Sequence, residues 1–337
     1  MPQRKAVARP VIHGGQTMGH FQNIDVNEQR TGVHGIEFSA VSNDSLVVTR
    51  GVTVAAFGAD ADAIYSTGDN RILFNHGDLF SGFRHALQML GNNQTAINFG
   101  DLYGTGYGVY ICIEDGQLSS SNARLDNSGA IFGGVGGVLI DSAFSVLDNN
   151  ATGEISGFEY GVQMVGAQNA VYNAGRINGQ GVGSFGLQMF DLPGSSESTG
   201  TQLVIENSGE ISASRALEVF QDFDDQGVAV FHQGAAIEIG TNKDVEITNS
   251  GIIRHDRTAI TTEIVRPDGG ENGAGVFNFD SSEYLKNSGQ IFGDVILSSE
   301  SDSSLDVIEN LAGGVISGSI RMLGTQSKLN TIANDGQ

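Results

Sequence analysis

The densest charged cluster in the chain is 254-RHDR-257, where Arg254, His255, Asp256 and Arg257 follow the apolar Ile253. These residue types suit proton abstraction from an acidic sugar. An arginine neutralises the uronate carboxylate while a histidine or an aspartate takes the neighbouring proton. Strand alternation aims only every second residue outward, so the four cannot share one face. The alternative is a solvated turn with local ion pairs. A second candidate is 222-DFDDQG-227, in which Asp222, Asp224 and Gly227 match positions one, three and six of an EF-hand loop and Asp225 adds a carboxylate. Position five is Gln226 and position twelve is Gln233 instead of Glu, so the loop is an incomplete calcium candidate. The runs 58-GADADA-63 and 299-SESDSSLD-306 are fainter cation candidates. His232 and His255 are too few and too scattered for zinc. No GxSxG or P-loop pattern occurs in a supporting context.

Composition bounds what else is open. The chain has 337 residues, 17 basic and 39 acidic, for a formal net charge of −22. A phosphate-binding surface needs a basic face, so nucleic acid is excluded as a partner, and anionic membrane surfaces are disfavoured. The acid keeps a sheet-rich protein soluble and leaves calcium as the one cofactor to consider. The hydrophobic fraction of 39% can build a core. One cysteine, Cys112, forms no internal disulfide and reads as a small core residue of 108-GVYICI-113. No apolar run reaches the ~18 residues of a membrane helix, so no membrane insertion is expected. The basic start MPQRKAVARPVIHGG is not followed by the apolar stretch of a Sec signal.

Whatever chemistry exists must be positioned by a repeat. The stretches 125-LDNSGAIFG-133, 171-VYNAGRING-179, 205-IENSGEISA-213 and 285-LKNSGQIFG-293 share apolar, any, Asn, any, Gly, any, Ile. The asparagines are Asn75, Asn98, Asn127, Asn149, Asn173, Asn207, Asn249, Asn287, Asn310 and Asn334; Asn149 and Asn310 have two extra residues before the glycine. A fainter copy, 47-VVTRGVT-53, places Thr49 in the Asn position. Each copy is followed by an alternating segment such as 137-GVLI-140, 161-GVQMV-165, 186-GLQMF-190 or 216-ALEVF-220, and no segment has a helical period.

Motif glycines recur every 22 to 42 residues, and the minimum suits one coil of a three-sided solenoid. A lone coil cannot bury its apolar face, whereas stacked coils share a continuous core. The expected fold is all-β: a single-stranded, three-sided parallel β-helix of 11–12 coils, taken as right-handed. Equivalent residues then lie about 4.8 Å apart, and the asparagines form a hydrogen-bonded ladder at a corner. Asn and Gly would both serve left-handed or tight backbone there. Residues 1–44 are expected to form an N-terminal cap or first coil, and 45–337 the solenoid. Insertions at about 191–201, 221–243 and 265–282 fall in consecutive coils, after the alternating segment of each, so they are expected to stack as a wall at one corner.

The NSGxIxG repeats resemble the β-helical regions of bacterial secreted and surface proteins, namely autotransporter passengers and the solenoid regions of calcium-binding proteins exported by type I secretion. The resemblance covers roughly residues 45 to 337. It implies a secreted, extracellular or cell-surface setting without an N-terminal Sec signal, through type I export or loss of a signal. The nonapeptide GGxGxDxUx of such calcium binders is absent; 133-GGVGGVLID-141 is only superficially similar. The DPHD motif of alginate epimerases is absent too. The chain stops inside a repeat at 334-NDGQ-337, so a continuation or a second molecule is expected to complete the edge. The expected role is a non-enzymatic structural or adhesive element that meets glycan or another cell-surface component and self-associates end to end into filaments. The alternatives are a lyase or epimerase acting on acidic glycans beside the stacked loops, and a trimeric phage tail-spike or fibre segment.

Overall fold

The computed structural model describes residues 21–38, 44–112, 122–190, 202–223, 227–241, 244–262, 264–266, 275–277, 282–299, 305–324 and 330–337. They form a parallel β-solenoid. The Asn-bearing strands, the first face, stack into one twelve-stranded parallel sheet from Phe21–Ile24 to Thr331–Asn334. The second and third faces are columns of one joined twenty-stranded sheet. Nine coils carry three separate strands; in two others, Ile252–Thr261 and Gln290–Ser299 run both faces as one bent strand. No helix of the described residues is long and apolar enough to cross a membrane.

Alternation decides which side chains turn inward. On the first face Leu125, Leu147, Val171, Ile205, Ile247 and Leu285 stack over one another, and each is at most 1% exposed. The motif Ile of each coil does the same on the second face: Ile131, Ile155, Ile177 and Ile211 are 0–1% exposed and in register. Burying a side chain of this size contributes roughly 1.5–3 kcal/mol, and the columns make that contribution recur at every coil.

The asparagines lie above one another. Asn75 Nδ2 donates to Asn98 Oδ1, and the bond repeats through Asn127, Asn149, Asn173, Asn207, Asn249, Asn287 and Asn310 to Asn334, at 2.8–2.9 Å throughout. The second amide proton goes to a carbonyl of the same corner, for instance Asn98 Nδ2 to Gly100 O at 2.9 Å. The ladder begins at Asn75 because register sets Val48, not Thr49, opposite it. Thr49 instead donates its hydroxyl to Ile24 O at 3.0 Å.

Several expectations change. The ladder asparagines and the motif glycines that follow them are not left-handed; Gly51 of the fainter copy is, with φ of 79°. The glycines answer a close approach: a Cβ on Gly100, Gly129, Gly209 or Gly251 would overlap the carbonyl oxygen of the motif glycine one coil below. Among the described residues, left-handed backbone at non-glycine positions occurs at the corner between the third and first faces, at Asn70, Asn93, Asn122, Phe144 and Gln168, with φ of 43–60°. There Asn93 donates to Asn70 at 2.9 Å and Asn122 to Asn93 at 3.1 Å, a second, exposed ladder. Cys112 is half-buried and stands level with Leu90 and Asp141 rather than among the core residues. Residues 21–38 form a regular coil, Phe21 pairing with Ser45 and Ile36 with Ile64.

The wall of insertions is not built as expected. In the middle coil the third-face strand is Ala235–Gly240, where Leu187 pairs with Ile237 and Met189 with Ile239. Leu217–Phe223 forms an antiparallel hairpin with Gly227–Gln233 before that strand, at the corner between the second and third faces. The third insertion carries the strands Ile264–Arg266 and Gly275–Phe277, an antiparallel pair that begins one residue before 265 and lies at the corner between the third and first faces. The two corners differ, so three stacked loops at one edge are ruled out. Segment 191–201 lies outside the described residues.

Replacing Asn173 by Ala should remove both of its ladder bonds, leaving Asn207 Oδ1 without its donor and Asn149 Nδ2 with only the carbonyls of Gly153 and Arg176, at a cost of roughly 2–4 kcal/mol. Asn334→Ala, at the exposed end of the ladder, should cost under about 1 kcal/mol. Urea unfolding of both variants measures this, and equal losses would contradict a cooperative ladder.

Candidate functional site

Among the described residues, the corner between the second and third faces gathers His34, His85 and His255 with Asp62 and Asp256. In the upper coils the register of Ile252–Thr261 against Gln290–Ser299 shifts between Arg254 and Thr258, so 254-RHDR-257 is a bulged corner rather than a flat strand. The bulge sends the four residues to separate tasks. Arg254 Nη2 lies 2.7 Å from Glu210 Oε1 of the coil below. His255 is 6% exposed, and its Nδ1 accepts the Thr258 N–H at 3.0 Å. Its Nε2 lies 3.3 Å from Asp256 Oδ1 without hydrogen-bonding. Asp256 Oδ1 accepts the Ala216 N–H of the coil below at 2.9 Å. The Arg257 N–H faces His255 Nδ1 at 3.4 Å. Burial pushes the His255 pKa down; Asp256 and the Ser214 and Thr258 backbone oppose it.

The same corner in the lower coils holds a set of residues that no motif links. His34 Nδ1 accepts the Asp62 N–H at 3.0 Å, Asp62 Oδ1 accepts the His85 N–H at 3.1 Å, and His85 Nδ1 accepts the Tyr107 N–H at 3.1 Å. Each side chain therefore caps the backbone amide of its counterpart one coil further on. Ser184 Oγ does this for Ser214 at 3.3 Å, and Asp294 Oδ1 for Ser319 at 2.8 Å. His34 and His85 must be unprotonated at Nδ1 to accept. His34 stacks on Tyr65 at 4.5 Å and His85 on Tyr107 at 5.1 Å. Tyr107 and Tyr160 meet hydroxyl to hydroxyl at 2.8 Å across Gly136, where any side chain would collide with the Tyr160 ring.

Burial shifts these groups toward their neutral forms. The Asp62 side chain is fully buried and its pKa is pushed up to about 6, against the pull of Arg84 and the His85 N–H. Burial and the Arg84 guanidinium push His85 down to about 4. His34 is also lowered, by burial first and then Arg84, while Glu37 and Asp60 oppose it.

The incomplete calcium loop does not assemble from described residues. Asp222 lies in strand Leu217–Phe223 opposite Val228, while Asp224 and Asp225 lie outside the described residues. Among the described residues, no three His, Cys, Asp or Glu side chains gather to hold a metal. A shallow groove of about 490 Å³ runs along the ladder corner, with Glu154, Arg176 and Glu210 among its lining. Its charges are mutually engaged, Arg254 holding Glu210 and Arg176 lying 4.0 Å from Glu154.

No protein-family model and no curated protein matches the chain. Among solved structures, a PL6 alginate lyase in complex with a trisaccharide is similar at 10% sequence identity with a TM-score of 0.26, covering 95% of this chain and 81% of that one. A similarity of that degree assigns neither substrate nor chemistry here.

The corner caps set a pH dependence with a definite sign. His85 has a folded pKa near 4 against an ordinary 6.5, so its contribution is full above pH 6.5 and is lost as pH falls toward 4. Asp62, raised from 3.8 to about 6, acts oppositely: its contribution is full below pH 3.8 and lost as pH rises through 6. In Asp62→Asn, which keeps an acceptor for the His85 N–H, only the histidine effect should remain. Its urea stability should drop between pH 6.5 and 4.5 by on the order of 2 kcal/mol more than the wild type's. His85→Asn added to it should remove that drop, and a drop of the same size in both would contradict the assignment.

Proposed function

We propose that this chain is a structural, adhesive β-solenoid: a stiff acidic rod of a bacterial secreted or cell-surface protein that holds surface loops and does not catalyse. One observation carries the reading. The side chains best suited to acid–base work, His34, Asp62, His85, His255 and Asp256, accept hydrogen bonds from the backbone amides of the corner. A general base must offer its lone pair to a substrate proton, and here those acceptors are engaged by backbone amides, of the neighbouring coil for His34, Asp62, His85 and Asp256 and of its own bulge for His255. Arg254, the residue placed to neutralise a sugar carboxylate, is held by Glu210. The secreted setting is supported by the NSGxIxG resemblance, and the net charge of −22 suits an exposed, self-repelling surface.

The rival reading is a lyase or epimerase of acidic polysaccharide. Incubation of the full chain with alginate, pectin and a wider uronate panel discriminates between them. The rod should release no ultraviolet-absorbing unsaturated sugars and leave uronate composition unchanged, while a glycan array retains bound protein. Product that disappears in His255→Asn or Arg254→Ala would overturn the non-catalytic reading.

A further inference from the structure

The outward side of the lower coils departs from the repeat. In most coils the residue after the ladder asparagine is small or polar, as at Ser128, Ser208, Ser250 and Ser288. In two lower coils it is His76 and Phe99, whose rings stack at 4.7 Å with 6° between their planes. On the second face one outward column runs Phe80, Tyr103, Phe132. Above Phe132 it turns polar at Ser156, Asn178, Ser212 and Arg254, and an aromatic returns only at Phe292. Phe80 stacks on Tyr103 at 5.3 Å and Tyr103 on Phe132 at 5.1 Å, while Phe57 leans on Phe80 at 5.5 Å. Two coils therefore present aromatic, acid, aromatic at alternate outward positions: His76, Asp78, Phe80 and Phe99, Asp101, Tyr103. Phe99 is 51% and Tyr103 41% exposed, and both carboxylates face solvent.

None of these rings serves the core, which the same strands supply from their inward side at Leu79 and Leu102. Contiguous exposed aromatic area marks a binding surface. Area and charge choose the occupant. An aromatic side chain covers 150–250 Å², so the open parts of Phe99 and Tyr103 supply on the order of 200 Å². The partly buried Phe57, Phe80 and Phe132 each add less, so the patch stays below the ~800 Å² per partner of a stable protein interface. Two copies, each carrying −22, also repel one another. A slender glycan chain fits better. One face of a pyranose is made of C–H groups and stacks on an aromatic ring, and its hydroxyls donate to carboxylates. Phe99 and Phe132 each stack on a ring of the coil below. Register sets serines, Ser128 and Ser156, in the coil above them, so the upper face of each ring carries no second ring. Asp78 and Asp101 repel uronates and sulfated sugars, which leaves neutral ones.

We infer that the ladder corner of the lower coils, with Phe99, Asp101 and Tyr103 at its centre, binds a neutral glycan chain laid along the rod. The inference rests on the adhesive reading and names its ligand class. The test titrates the full chain, by calorimetry, with cellohexaose, laminarihexaose and chitohexaose, and with an oligoguluronate as the anionic counterpart. At least one neutral hexamer should bind more tightly than the oligoguluronate. Phe99→Ser combined with Tyr103→Ser, which restores the residue type of the upper coils, should weaken that binding by about tenfold or more, and either single variant should act in the same direction. The melting midpoint should stay within about 3 °C of the wild type's, as expected at exposed positions. Phe292→Ser, in the same column of an upper coil, should leave binding unchanged. Undiminished binding in the double variant would overturn this site and leave the adhesive reading standing. No binding of any neutral hexamer would overturn the site and count against the adhesive reading as well. Oligoguluronate binding as tight as that of the neutral hexamers would overturn the site too, as would a wild-type dimer in sedimentation that the double variant lacks.

Discussion

Register between coils is the constraint on which everything else in this molecule depends. Parallel strands pair at a fixed spacing, so each inward position meets its own counterpart above and below. A slip of one residue would turn the leucines and isoleucines of a coil outward and bring the motif asparagines out of line. The chain resists slippage with two devices at one corner. The asparagine amide bonds both to the next asparagine and to its own turn, as Asn98 does with Asn127 and Gly100. The motif glycine lets the next corner approach closer than any side chain would allow. Neither device works in one coil alone, and both extend from Asn75 to Asn334.

The other two corners solve the same problem differently. Between the third and first faces, left-handed Asn70, Asn93 and Asn122 stack their exposed amides in the lower coils. Between the second and third faces, acceptors that differ in type from coil to coil cap the amides: His34, Asp62 and His85 low down, Asp256 and Asp294 higher up. A turn has backbone amides with no ladder partner, and each must be satisfied. Insertions are tolerated at such corners because the flanking strands keep their pairing. Gln202–Asn207 and Asp244–Asn249 remain in register although 42 residues separate Asn207 from Asn249.

The first face and its ladder were legible in the sequence because one residue type serves every coil there. Asn, Gly and Ile recur at fixed offsets, and identical neighbours stack well. The second-to-third corner was illegible for the opposite reason. Histidine, aspartate and serine all serve as acceptors, so composition hides the column and only register joins His34 to Asp62 and His85. The hairpin was misplaced because 216-ALEVF-220 alternates like a third-face strand, whereas 234-GAAIEIG-240 is the segment in register with 186-GLQMF-190. A local alternation signal cannot tell a strand of the stack from a strand that pairs with its own insertion. The charged cluster 254-RHDR-257 was visible by residue type, but its bulge, which separates the four side chains, was not.

Hydrogen exchange of the side-chain amides of Asn98, Asn127, Asn173, Asn207, Asn249 and Asn287, followed by NMR, tests the stacked ladder most directly. A continuous column of hydrogen bonds predicts slow exchange at all six, comparable with the core backbone amides, and fast exchange at the outward-facing Asn70. Exchange of the interior amides at the rate of free asparagine would show that the coils are not held in register by this corner.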